Sequence, residues 1–174
     1  MIDMAAAYNR YKFLGYEFLT WLWYTLELET EKLTDADHNE IDLKIGNRLV
    51  LENRTHNNIE SIIIKGDDPG LEEGLLALKK GAFVTEIELV LQEGDFQWHF
   101  SIKGESLNIN GIKTPATGPV ERNDDIEGAV LEKIFLLEKP ISLLDTLYEK
   151  FIKAKISPDW NQDTAHKIQK WIKA

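Results

Sequence analysis

Residues 13–28, FLGYEFLTWLWYTLEL, put apolar side chains on almost every side of a helix, and in water such a helix must be covered from two directions. On a helical wheel Leu14, Phe18, Trp21 and Leu22 make one side and Leu19, Trp23 and Leu26 a second. Tyr16, Glu17, Thr20, Tyr24 and Glu27 remain as the strip for water. The run is too short, and with Glu17 and Glu27 too charged, for a membrane span, which needs roughly 20 apolar residues. The expectation is a central helix clamped between a sheet and another helix. The alternative is that Leu19, Trp23 and Leu26 form an interface for a separate domain or subunit, since large apolar surfaces on soluble proteins mark such sites.

The middle of the chain supplies the sheet. Thr85, Ile87, Leu89 and Leu91 alternate with more polar positions, as do Phe96, Trp98, Phe100 and Ile102, so two half-buried strands flank EGDF. Gly94 takes the first central position of a type II′ turn, and that register pairs Leu91 with Trp98, Leu89 with Phe100 and Ile87 with Ile102 on one apolar face. Upstream, Ile41, Leu43 and Ile45 alternate and RLVLEN follows Gly46-Asn47, which predicts a hairpin there. IESIIIKG reads as a buried strand, SLNINGIK as a short one and TPATGP as a loop. Between them DDPGLEEGLLALKKG is a short helix, with Asp68 as N-cap, Pro69 at its first position, Lys79 and Lys80 in the last turn and Gly81 as its stop. Leu71, Leu75 and Leu78 are its inward face.

From about residue 124 the period becomes helical. Ile126, Val130, Ile134 and Leu137 form a stripe, Pro140 interrupts, and Ser142 with Asp145 starts a second helix carrying Leu144, Leu147, Tyr148 and Phe151. A last helix follows Ser157-Pro158-Asp159, with Trp160, Ile168, Trp171 and Ile172 inward. This order predicts a single α+β domain over residues 1–174: an aromatic helix in 1–30, a mainly antiparallel sheet of about five to six strands with one inserted helix in 41–115, and a helical end in 124–174. No internal repeat interrupts it.

The 174 residues include no cysteine, which excludes disulfides, thiolate nucleophiles and Cys-based metal sites. The N-terminus reads without a secretory leader, so a cytoplasmic location is expected. His38, His56, His99 and His166 are scattered without ligand spacing, and no GxSxG or GxxxxGK[ST] occurs. Gly66, Gly70 and Gly74 recur at four among acids, which reads as turn and helix punctuation and not as a phosphate loop. No metal or cofactor is expected. One constellation bears on catalysis: the hairpin register sets Lys103 opposite Glu86, with Glu88 on the same side, and two carboxylates with a lysine are ingredients of magnesium-dependent phosphodiester cleavage. An ordinary cross-strand ion pair accounts for the same residues.

Formal net charge is −10, yet residues 148–174 hold six lysines against three acids. Lys150, Lys153, Lys155, Lys167, Lys170 and Lys173 are candidate phosphate contacts, with Trp171 available to stack if exposed. The overall charge opposes nucleic-acid binding, and lysines bordering amphipathic helices explain the same pattern.

FLGYEFLTWLWY, GNRLVLEN, KGDDPGLEEGLLALKKG and SPDWNQDTAHKIQKWI together resemble the C-terminal half of bacterial proteins of the recombination-associated RdgC family, with Phe13 to Tyr24 the most specific part. The resemblance implies a sequence-indifferent, non-catalytic, DNA-binding nucleoid protein of recombination or replication that works as an oligomer. Longer members carry a preceding domain, so it also implies a fragment, a separately encoded subunit or a shortened member. No DNA-contacting residue of the family falls on a matching position here, and the six lysines are read from charge alone. Two other readings stand beside it: a protein-interaction module using the aromatic helix, and a metal-dependent nuclease using Glu86 and Glu88.

Overall fold

A computed structural model of the chain describes residues 13–35, 37–55, 57–66, 71–120 and 125–174. Strands β1 (Asp42–Thr55), β2 (Asn58–Lys65), β3 (Phe83–Glu93), β4 (Phe96–Lys103) and β5 (Asn108–Lys113) form one antiparallel sheet in the order β2-β1-β3-β4-β5. Helices α1 (Phe13–Leu28), α2 (Leu71–Lys79), α3 (Ile126–Ile156) and α4 (Ala165–Lys173) accompany it, and a π-helical turn, Trp160–Thr164, links α3 to α4. The fold is α+β, as the element order predicts. The expected N-cap Asp68 and Pro69 lie outside the described residues, as does His56.

The β3–β4 hairpin has the predicted register, with Leu91 opposite Trp98, Leu89 opposite Phe100 and Ile87 opposite Ile102. Gly94 adopts φ +59 and Asp95 does not turn positive, the combination that defines a type II′ turn. The stop of α2 is also as read. Gly81, at φ +94, donates its N–H to Leu78 O at 2.9 Å while Ala82 donates to Ala77 O at 3.0 Å, the paired bonds of a Schellman motif.

The expected hairpin at Gly46-Asn47 is not formed. β1 runs through both residues as a single strand, and its pairing with β3 slips between Ile45 and Leu49. The glycine serves a close approach, because a Cβ on Gly46 would lie 2.8 Å from Glu88 Cγ. The reversal comes later, between Thr55 and its partner Asn58.

α1 is the centre of the core. Phe18, Leu19, Leu22 and Trp23 have no exposed surface. Phe18 and Trp21 meet Phe151 of α3 at ring-centroid distances of 5.6 and 5.7 Å, and Trp171 of α4 stands edge-on to Trp23 at 5.1 Å and to Tyr24 at 5.6 Å. The helix is seated on the sheet where Gly15 crosses Gly104: a Cβ on Gly15 would lie 1.7 Å from the Gly104 carbonyl oxygen. Two expectations change here. Tyr16 and Tyr24 belong to the core and not to the water strip. Leu19 and Trp23, an interface only in the alternative reading, are enclosed by this chain's own elements, and only Leu26 of that trio keeps partial exposure.

Pro140 does not end a helix. α3 is continuous from Ile126 to Ile156, and Ser142 lies inside it, its carbonyl accepting from Thr146 Oγ1 at 3.0 Å. A proline at 140 denies the Leu136 carbonyl its helical donor. The buried indole of Trp98 replaces that donor, its Nε1–H reaching Leu136 O at 2.9 Å. Beyond this anchor the inward stripe fails: Ile126, Val130 and Ile134 are exposed, and burial begins at Leu136.

Candidate functional site

The carboxylates of the hairpin do not converge on an open site. Lys103 faces Glu86 in the register, but the Glu86 carboxylate is taken by the Arg48 guanidinium from β1. Glu88 lies 4.0 Å from His99 Nδ1 and against Gly46. Among the described residues no three His, Asp or Glu side chains gather as a metal site. Arg48 reaches Glu86 from the neighbouring strand β1, a pairing that alternation within the β3–β4 hairpin does not reveal.

Four of the six candidate lysines are already engaged. Lys150 donates to Thr34 Oγ1 at 3.0 Å; Lys153, Lys155 and Lys167 pair with Glu149, Glu17 and Asp163 at 2.7, 2.6 and 2.7 Å. The Lys153 bond holds the Glu149 carboxyl below its usual range, and Asp163 holds the Lys167 ammonium above its own. Lys170 and Lys173 have no ion-pair partner among the described residues. They lie beside α2, whose Lys79 Nζ donates to the Lys173 carbonyl at 3.2 Å. Lys79, Lys80, Lys170 and Lys173 therefore share the C-terminal ends of α2 and α4. Trp171 is turned into the core against Trp23 and offers no stacking surface.

A cleft of about 590 Å³ opens beside α1, walled by Tyr16, Trp21, Phe83, Trp160 and Ile168. Its charged groups are ion-paired, although the buried Glu17 Oε2, 2.6 Å from Lys155 Nζ, has no well-directed hydrogen bond. The Arg54 guanidinium stacks 5.1 Å from the Phe83 ring and donates to Glu52 at 2.9 and 3.1 Å, which raises its pKa. Across the cleft Lys155 sits 4.7 Å over the Trp160 ring and 2.6 Å from Glu17. Burial pushes the Tyr16 phenol up against the opposing pull of Arg54. The apolar walls resemble a ligand pocket, with Arg54 and Lys155 already ion-paired at its sides.

The largest feature the sequence leaves unannounced is the first part of α3. From Ile126 to Phe135 no residue is fully buried, and Lys133 bonds Thr114 Oγ1 just after β5. The repeating apolar spacing is legible in the sequence, but its uncovered state is not. No helix among the described residues is long and apolar enough to cross a membrane. No family model, curated protein or solved structure matches this chain.

Proposed function

We propose that the chain is a non-catalytic, DNA-associated protein of the cytoplasmic nucleoid, similar to the RdgC family, that acts in recombination or replication as an oligomer or beside a partner subunit. The supporting observation is the joining of two lysine pairs, Lys79-Lys80 and Lys170-Lys173, at one end of α2 and α4. A local basic patch on a chain of net charge −10 fits weak, backbone-directed contact that reads no bases.

The test is a mobility shift against salt. With Lys80, Lys170 and Lys173 each meeting one phosphate, duplex affinity falls about 40-fold between roughly 50 and 200 mM salt. The variant Lys80→Glu/Lys170→Glu/Lys173→Glu abolishes the shift. Absence of any shift at low salt, or a triple variant that binds as well as wild type, refutes the reading. The nuclease alternative is decided in the same tubes: magnesium-dependent cleavage lost in Glu88→Gln would revive it. The interaction-module alternative keeps one observation in its favour, the bare part of α3, since the aromatic helix first expected to carry it is enclosed.

A further inference from the structure

The cleft of about 590 Å³ beside α1 falls within the roughly 300–1,000 Å³ of small-molecule sites, and aromatic rings make much of its wall. Two of them, Trp21 and Trp160, rest on the buried Phe151 at ring-centroid distances of 5.7 and 5.8 Å, so this wall is fixed before anything enters. Trp160 is placed there by the π-helical turn Trp160–Thr164, a backbone form that collects at functional sites. The polar end of the cleft is Lys155. Its ammonium lies 4.7 Å over the Trp160 ring and 2.6 Å from Glu17 Oε2, and its side chain keeps 28% of its surface in water. The contact with Glu17 balances charge but is poorly aligned, because Glu17 Oε2 receives no well-directed hydrogen bond. An ammonium carries three donors, and among the described residues Lys155 has no well-directed acceptor for any of them.

We propose that this cleft binds a small aromatic carboxylate, with its ring system against Trp21 and Trp160 and its carboxylate on Lys155 Nζ. Glu17 shows that a carboxylate reaches that ammonium, and a ligand entering from the cleft meets the N–H groups that Glu17 leaves without an aligned partner. The rings decide the body of the ligand, since flat aromatic faces reward an aromatic partner beyond the area it buries. An organic cation is a poorer fit, because the ring faces that would receive one already carry Lys155 on one side and Arg54 on the other, over Trp160 and Phe83. The proposal goes beyond the DNA reading and does not rest on it: Lys79, Lys80, Lys170 and Lys173 lie outside the walls of the cleft.

The test is calorimetric titration of the full chain with naphthoate, its neutral counterpart naphthamide, and decanoate as an aliphatic carboxylate. Naphthoate is expected to bind at one site with a Kd at or below about 1 mM, and naphthamide and decanoate each at least about tenfold more weakly. Lys155→Met keeps an apolar stem over Trp160 and removes the charge; it is expected to weaken naphthoate at least about tenfold and to leave naphthamide unchanged, which a loss of folding would not do. Glu17→Gln removes the competing carboxylate and is expected to tighten naphthoate about threefold or more, a gain that damage to the fold does not mimic. Val130→Glu/Ile134→Glu, on the bare face of α3, is expected to change nothing, which places the ligand in the cleft and not on that face. The proposal is overturned by the absence of saturable binding up to about 1 mM, by naphthamide or decanoate binding as tightly as naphthoate, by a Lys155→Met variant that binds naphthoate like the wild type, by a Glu17→Gln variant that gains nothing, or by loss of binding in the α3 double variant. None of these titrations involves DNA, so a failed mobility shift leaves them standing and failed binding leaves the shift interpretable.

Discussion

Replacing Trp98 by phenylalanine removes the indole donor that answers the Leu136 carbonyl left open by Pro140. Trp98 is 2% exposed, so no water takes the indole's place without rearrangement. An unanswered buried carbonyl costs about 1–3 kcal/mol, and the smaller ring adds a packing loss that depends on how far α3 settles. The two contributions separate in a double-mutant cycle. Pro140→Ala restores an N–H at position 140, which can bond Leu136 O from within the helix, so in that background Trp98→Phe loses only packing. The expected coupling is about 1–2 kcal/mol, with Trp98→Phe milder in the Pro140→Ala background than in the wild type. Urea unfolding followed by far-UV circular dichroism measures it without using the altered tryptophan signal. Equal costs in the two backgrounds, within about 0.5 kcal/mol, refute the account of how a proline sits inside α3.

Two further outcomes follow from the core. Gly15→Ala places a methyl 1.7 Å from the Gly104 carbonyl oxygen and is expected to destabilise by more than about 3 kcal/mol or to prevent folding, whereas Gly118→Ala, which meets nothing within 4 Å, changes the melting temperature little. Tyr16, Tyr24 and Tyr148 are all held above the ordinary phenol value of 10.0 by burial, with the Glu29 carboxylate adding to the effect at Tyr24. The unfolded chain releases these protons first as pH rises. Stability is therefore intact below about pH 10 and declines above it, and Tyr24→Phe flattens part of the decline in a melting series run from about pH 8 to 11. A melting temperature that is constant or rising across that range contradicts the assignment.

What the sequence discloses and what it withholds divide along the reach of the interactions. The β3–β4 register is legible because alternation and the Gly94 turn lie within 21 residues and fix each other. The stop of α2 is legible because Gly81 acts on its own last turn. Gly46 misleads because its reason, the Glu88 side chain, lies on another strand. Pro140 misleads because its remedy is Trp98, 38 residues before the Leu136 carbonyl that it answers. The wheel for α1 correctly demands two covers but assigns Tyr16 and Tyr24 to water, since an amphipathic ring packs as readily as a leucine once a partner such as Phe83 or Trp171 is placed against it. In α3 the spacing of Ile126, Val130 and Ile134 announces an apolar face, and periodicity is silent on whether the cover belongs to the same molecule. The lysine patch needs α2 and α4 to be neighbours, which no local signal encodes.

The rings that close over α1 come from Tyr148, Phe151 and Trp171, which follow the whole sheet in chain order, whereas α1 precedes it. During synthesis the first helix therefore leaves the ribosome long before its roof exists, and Trp23 waits through the production of the entire sheet. A message truncated shortly before Trp171 yields a chain whose Trp23 indole has lost that cover. Quality control would meet it as a client of chaperones and proteases.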